Sequence, residues 1–188
     1  MIFFVLPGCR KTTDSLDPVI KEIFPLKSGN LWIYQTTKSD STRTTHVNSV
    51  INDTVIGSRV WHILTFDTVI RTICANTEAG WWFIYYPAPG SAGTPSLYYC
   101  YPAKVNDQYM TIDSTLVTVA GISEMITVPG GTFSCYHYHM VHYLENYVCE
   151  EYFAPGTGLI KHVVYESGSG TGRISEITNL ISFRTSGK

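Results

Sequence analysis

From residue 23 to the end, this chain offers no amphipathic helix of ten or more residues. Short runs rich in Val, Ile, Thr and aromatics recur instead, between clusters of Gly, Pro, Asn and Asp, at 31–38, 44–52, 59–66, 69–75, 81–86, 97–101, 116–128, 132–143, 147–153, 159–166 and 173–183. β-Branched and aromatic side chains suit a pleated, half-buried surface. The connections between runs are too short for the crossovers that parallel strands need. About eleven short strands joined in this way predict an antiparallel meander. The expected fold is therefore all-β: a strongly curved meander, half-barrel or open barrel, with little helix.

Turn chemistry supports the corners. Val128-Pro129-Gly130-Gly131 and Ala154-Pro155-Gly156-Thr157 each place Pro at the second position and Gly at the third. A type II turn demands this pattern, because Pro presets φ and Gly tolerates φ above zero. Glu78-Ala79-Gly80 and 167–170 likewise interrupt runs that resume at once. The long break from Pro87 to Pro95 reads as a surface loop that holds no ladder. There is also an internal echo. Phe24-Pro25-Leu26-Lys27-Ser28-Gly29-Asn30-Leu31-Trp32 and Tyr101-Pro102-Ala103-Lys104-Val105-Asn106-Asp107-Gln108-Tyr109 share aromatic-Pro-x-Lys-x-turn-turn-x-aromatic. In each copy a corner precedes an aromatic that opens or braces a strand, so the sheet is expected to consist of two similar halves.

The N-terminus gives an address. Ile2-Phe3-Phe4-Val5-Leu6 runs into Leu6-Pro7-Gly8-Cys9 and then at once into polar Arg10-Lys11-Thr12-Thr13-Asp14. Leu-x-Gly-Cys at such a junction resembles a bacterial lipobox, whose Cys is acylated. The apolar run is shorter than the roughly 7–15 residues of a secretory core and has no basic residue before it, which an upstream start would repair. Residues 1–9 are read as a truncated lipoprotein signal, 10–22 as a polar tether and 23–188 as a single β-domain, a division that suits 188 residues. No run reaches the ~20 apolar residues of a spanning helix, so lipid at Cys9 would be the membrane attachment. Arg10 after the cysteine is compatible with sorting to the outer membrane.

With 13 basic and 15 acidic residues and no basic run, the chain lacks the electrostatic attraction on which nucleic-acid binding depends, and no nucleic-acid partner is expected. Setting Cys9 aside leaves Cys74, Cys100, Cys135 and Cys149. In an oxidising compartment this even set could form one or two disulfides, with three connectivities open. The alternative is that they are small buried hydrophobes.

Three segments together resemble a loose set of uncharacterised Gram-negative bacterial lipoproteins: the opening at 24–32, Val128-Pro129-Gly130-Gly131-Thr132-Phe133, and Tyr152-Phe153-Ala154-Pro155-Gly156-Thr157-Gly158-Leu159-Ile160-Lys161. The resemblance spans roughly residues 23–183 and implies a curved antiparallel sheet similar to the open half-barrel of the periplasmic lipoprotein carriers. Such half-barrels hold acyl chains or other apolar ligands in their concave face. The shared segments are structural corners, so they carry no site residue over.

Reactive residues are few. His137 and His139 lie two apart on one strand face with Cys135, and His142 is near. An x-His-x-His ladder can offer two imidazoles to zinc or copper, with His62 or His162 the third ligand that only a fold could bring. An ordinary strand with one wetter side explains the same residues, and no cofactor is expected. No Gly-x-Ser-x-Gly elbow is present, Gly121-Ile122-Ser123-Glu124 lacking the second Gly. Adjacent Glu150 and Glu151 must point to opposite faces of a strand, which argues against a shared acid/base dyad. By the same rule Trp81 and Trp82 face opposite sides. Residues 59–66 are apolar on both faces, implying a strand covered on both sides.

The reading is a lipid-anchored, non-enzymatic envelope protein that binds an apolar small molecule or acyl chain in a curved sheet. The alternatives are an envelope interaction or assembly module with a filled core, and a metal-dependent enzyme. A contiguous apolar pocket of roughly 300 Å³ or more separates the first from the second.

Overall fold

Alternating runs bounded by turn residues become strands throughout. The computed structural model describes residues 22–67, 70–86, 92–166 and 172–185. Twelve strands occur in chain order: β1 (Leu31–Lys38), β2 (Arg43–Ile56), β3 (Arg59–Phe66), β4 (Ile70–Thr77), β5 (Gly80–Tyr85), β6 (Thr94–Cys100), β7 (Gln108–Met110), β8 (Thr115–Val128), β9 (Gly131–His142), β10 (Tyr147–Ala154), β11 (Gly158–Tyr165) and β12 (Ile174–Arg184). They form one antiparallel sheet in the order β6-β5-β4-β3-β2-β1-β12-β11-β10-β9-β8-β7. The protein is all-β, and no helix occurs among the described residues. The two chain-distant strands β1 and β12 meet mid-sheet, from Leu31 opposite Arg184 to Lys38 opposite Glu176, while β6 and β7 are left as the two edges.

The sheet curls until its edges approach. Tyr99 on β6 lies 5.2 Å from Tyr138 on β9 and 4.4 Å from Phe153 on β10, measured between ring centroids. Bulges aid the bend: one in β2 between Val50 and Asn52, one at the β10–β11 step between Tyr152 and Phe153, and two in β8 between Val119 and Glu124. Each adds an unpaired residue and increases local twist. The bulges in β8 let the tip of the β8–β9 hairpin reach β12, where the Gly130 N–H donates to the Leu180 carbonyl at 2.9 Å.

The inner face carries the main core, with Trp32, Tyr34, Leu64, Tyr138, Met140 and Leu180 almost wholly buried. A plug of Ile23, Phe24 and Leu26 joins it. Phe24 stacks obliquely on Trp32 at 4.6 Å, its carbonyl accepts from Asn76 Nδ2 at 2.7 Å, and the Glu22 carbonyl accepts from Gly156 N–H at 2.9 Å. Gly158 fits the plug, since a Cβ there would stand 3.1 Å from the Phe24 ring. A second, smaller cluster, Trp61, Ala75 and Ile84 with Ile73 and Trp82, forms separately from the main core. Thus β3 is covered on both faces, and Trp81 and Trp82 join different clusters, as their alternation requires.

Both echo copies close with the same backbone bonds, although the aromatic-Pro peptide is cis only at Tyr101-Pro102. Gly29 and Asn106 adopt φ of 87° and 71°. Their N–H groups donate to Val50 and Val119 carbonyls, and Asn30 and Asp107 close the turn onto Lys27 and Lys104 carbonyls. The reciprocal bonds, Val50 N–H to Asn30 and Val119 N–H to Asp107, are present too.

Four expectations need correction. The strand β7 is additional to the eleven expected, because its three residues are too few to show alternation. Thr94 and Pro95, expected in a loop, begin β6, which a proline tolerates because β6 is an edge strand. The turn at 128–131 puts its positive φ at Gly131 (135°) and not at Gly130, one residue later than type II requires, whereas Gly156 (74°) fits type II. Finally, Cys74, Cys135 and Cys149 are free and buried. They sit on β4, β9 and β10, and none is paired with another. The expectations at 1–21, 87–91 and 167–170, Cys9 included, fall outside the described residues.

Candidate functional site

The inner face is not completely filled. Between β2–β6 on one side and β10–β11 on the other lies a cavity of about 310 Å³, walled by Leu64, Phe66, Trp81, Phe83, Tyr98 and Leu159, with Phe24 of the plug at its boundary. Its few polar groups are Asn48, Thr72, Asp113 and Glu151. Asn48 is 4% exposed, and its amide oxygen has no hydrogen-bond partner. A buried acceptor left without a donor costs about 1–3 kcal/mol, which a ligand or water donor would recover. Tyr98 and Asp113 come from opposite sides of the unpaired β6/β7 seam, so the cavity reaches that seam. A second concavity of about 560 Å³ lies among His139, Tyr143, Tyr147, Glu150 and Glu166. It is larger, and both are partly open to solvent; the smaller one is singled out by its aromatic lining.

The seam is bridged by tyrosines. Tyr109 accepts from Cys100 N–H at 2.9 Å and donates to the Tyr98 carbonyl at 2.7 Å, while Tyr138 donates to the Cys100 carbonyl at 2.8 Å. Tyr99 donates to the Glu151 carboxylate. Burial, with the nearby Glu151 charge, pushes the Tyr99 hydroxyl pKa well above its ordinary value, so it stays a donor.

His137 and His139 share one face of β9, as their spacing predicts, but they converge on a carboxylate. His137 contacts Glu124 at 2.9 Å through Nδ1 and Glu150 at 2.6 Å through Nε2; His139 Nδ1 contacts the other Glu150 oxygen at 2.7 Å. Burial alone would lower the His137 pKa, yet the hydrogen bonds to Glu150 and Glu124 override it and hold the pKa raised. Glu150 responds in kind: burial favours its neutral form, and the two histidines pull its pKa below the usual value. Neither proposed third ligand arrives. His62 pairs with Asp53 at 2.8 Å on the β2–β3 hairpin, and His162 stands with Glu151. Cys135 is buried, with its thiol pushed up to about 12, by burial above all.

Glu150 and Glu151 do face opposite ways. Glu151 enters the interior beside Cys149 and His162, and the donor atoms of these three lie within 4.8 Å of one another. Sequence reasoning missed this grouping because the bulge at Tyr152/Phe153 sets the β10–β11 register. Extrapolating from the turn end, where Ala154 pairs Gly158 and Phe153 pairs Leu159, would put Lys161 opposite Glu151; the bulge slips the ladder by one and brings His162 instead.

No family model matches the chain, and no curated protein matches it. Two solved structures resemble it in fold. One is a protein described as exported, with a YmcC-like fold, from Bacteroides fragilis: TM-score 0.53, 12% identity, 86% of this chain and 98% of that chain covered. The other, described as a lipoprotein, is from Parabacteroides distasonis: TM-score 0.53, 14% identity, 87% and 99% covered. Identity this low speaks for the fold alone, and nearly the whole length of each relative is matched.

Proposed function

We propose that this is a non-enzymatic envelope protein, lipid-anchored through Cys9, that holds an apolar small molecule or acyl chain in its concave face. The observation that carries the reading is the aromatic cavity of about 310 Å³. That volume lies at the low end of the ~300–1,000 Å³ range of ligand pockets, fitting a small ligand or the end of one chain. The filled core that an assembly module would need is at odds with this space. Asn48, with its amide oxygen unpaired, would orient a ligand that carries one hydrogen-bond donor. Support for the compartment comes from the lipobox-like Leu6-Pro7-Gly8-Cys9 and from fold relatives described as exported and as a lipoprotein. Outer-membrane sorting rests on Arg10.

Native mass spectrometry of the chain expressed with its upstream sequence in a Gram-negative host tests both halves separately. Acyl mass on Cys9 and a non-covalent apolar adduct are expected. Leu64→Trp, which fills the cavity, should keep the acyl mass and lose the adduct. An unmodified Cys9, or one recovered in a disulfide without acyl mass, refutes the anchor; folded protein that extracts no apolar compound and binds none added refutes the cargo.

A further inference from the structure

Four side chains on the inner face of neighbouring strands β9, β10 and β11 form a constellation apart from the outer histidine pair, sharing only Glu151 with the cavity. Cys149 and Glu151 project from one side of β10, His162 faces Glu151 across the β10–β11 ladder, and His142 ends β9 opposite Tyr147. Cys149 Sγ lies 3.5 Å from His142 Nε2, and His162 Nε2 lies 3.9 Å from Glu151 Oε1. One donor atom each from Cys149, Glu151 and His162 falls within 4.8 Å of the others.

These spacings can be weighed against coordination chemistry. With Zn–S near 2.3 Å and Zn–N and Zn–O near 2.0–2.2 Å, a tetrahedral ion separates its donors by roughly 3.3–3.6 Å. The sulfur–imidazole distance already matches, and the imidazole–carboxylate distance is a few tenths of an ångström long. His142 stands outside the three residues whose donor atoms all lie within 4.8 Å of one another, so its ring must turn toward Glu151 and His162 to complete the set.

The surroundings are those of a built site. His142 Nδ1 is 2.9 Å from Thr115 Oγ1, which fixes the ring so that Nε2 is presented to the thiol. Its ring stacks on Tyr147 at 4.0 Å. Glu151 is held by the Tyr99 hydroxyl through its other oxygen. Partners of this kind orient ligands in metal sites. His142 is 7% exposed and Cys149 is 1% exposed. A thiol, two imidazoles and one carboxylate form a mixed S/N/O set that suits zinc, whereas all-oxygen cages suit calcium or magnesium.

We infer that Cys149, Glu151 and His162, with His142 as the fourth donor, bind one zinc ion on the inner face of the sheet. Binding releases the thiol proton, since the ligand is the thiolate. The site does not depend on the cargo proposed above: Glu151 is the single residue that it shares with the cavity, and a metal here stands whether or not a lipid enters.

The test is cobalt(II) titration of the full chain, purified without metal or oxygen and followed by absorption. One equivalent should produce a thiolate-to-cobalt charge-transfer band with intense tetrahedral ligand-field bands, and one equivalent of zinc should bleach both. Cys149→Ser should abolish the charge-transfer band, and His162→Gln should weaken affinity more than about 100-fold, beyond the 10–100-fold typical of a lost supporting group. Thr115→Ala should fall within that lower range. His162 is partly exposed, so its variant reads the site even if Cys149→Ser fails to fold, with circular dichroism checking each variant. His137→Gln with His139→Gln should leave the titration unchanged. Absence of stoichiometric cobalt uptake overturns the site, and so does uptake that survives His162→Gln or is lost with the outer pair.

Discussion

The two copies of the aromatic-Pro corner begin alike and end differently. After the first, Trp32 opens an eight-residue strand with ladders on both sides, to β2 and to β12. After the second, Tyr109 sits in a three-residue strand that pairs only with β8. The corner bonds are the same, so the outcome is decided by the residues that come after the corner. Ile33 to Lys38 continue as strand formers, whereas Met110 leads into Thr111, Asp113 and Ser114, which turn the chain. Ser114 takes φ 62°, and the Thr111 hydroxyl accepts from Thr115 N–H. Short of residues to pair with β6, the second seam closes through tyrosine hydroxyls, that of Tyr109 on β7 and that of Tyr138 on β9. That gap keeps the curled sheet from becoming a sealed barrel, and the cavity reaches it.

Removing the aromatic at each seam should separate a packed seam from a bridged one. Trp32→Ala, which deletes a fully buried indole and its 2.6 Å bond to the Thr157 carbonyl, should cost about 3–5 kcal/mol in denaturant unfolding. Tyr109→Phe keeps the ring and removes the bridge, leaving Cys100 N–H and the Tyr98 carbonyl short of a partner; about 1–3 kcal/mol is expected. Hydrogen exchange should rise at β6 and not at β1, and equal exchange at both would erase the distinction between the seams.

The corners themselves should be interchangeable. Gly29→Asn copies the second corner into the first; open space surrounds Gly29 and Asn tolerates positive φ, so a thermal melt should shift by less than the equivalent of ~0.5–1 kcal/mol. A larger loss would mean that the two corners differ in more than sequence.

The smallest effect lies on the outer face. Because the folded pKa of His137 is raised, its contribution to stability is complete below its ordinary value of 6.5 and lost as pH rises through the raised value. The difference in melting temperature between the parent chain and His137→Gln should therefore be larger near pH ~5.5 than near ~8.5. A difference independent of pH would assign His137 a packing role only.

How much of the molecule is legible in its residues depends on range. Strands are legible because alternation and turn signals are local, and the echo is legible because Pro, Lys and the turn residues recur at the same offsets and close the same backbone bonds. The strand β7 and the start of β6 are not, since a three-residue strand has no period and Pro95 is allowed only where one side lacks a partner. The opposite-facing Glu150 and Glu151 follow from a period of two. Their company does not: Glu150 gathers His137 and His139 through the β9–β10 register, and Glu151 gathers His162 through a β10–β11 register that a bulge shifts by one residue. An extra residue in a ladder leaves no mark in composition, yet it decides which side chains meet.

The placement of β1 between β12 and β2 has a mechanical consequence. A pull through the segment before Glu22 first meets the Phe24 plug and then loads two ladders in parallel. The strands with one free side, β6 and β7, lie at the far ends of the sheet from that strand. Tension thus enters where resistance is shared and fades toward the margins, so the chain can be tugged from its leading end while the gap beside Tyr109 keeps its shape.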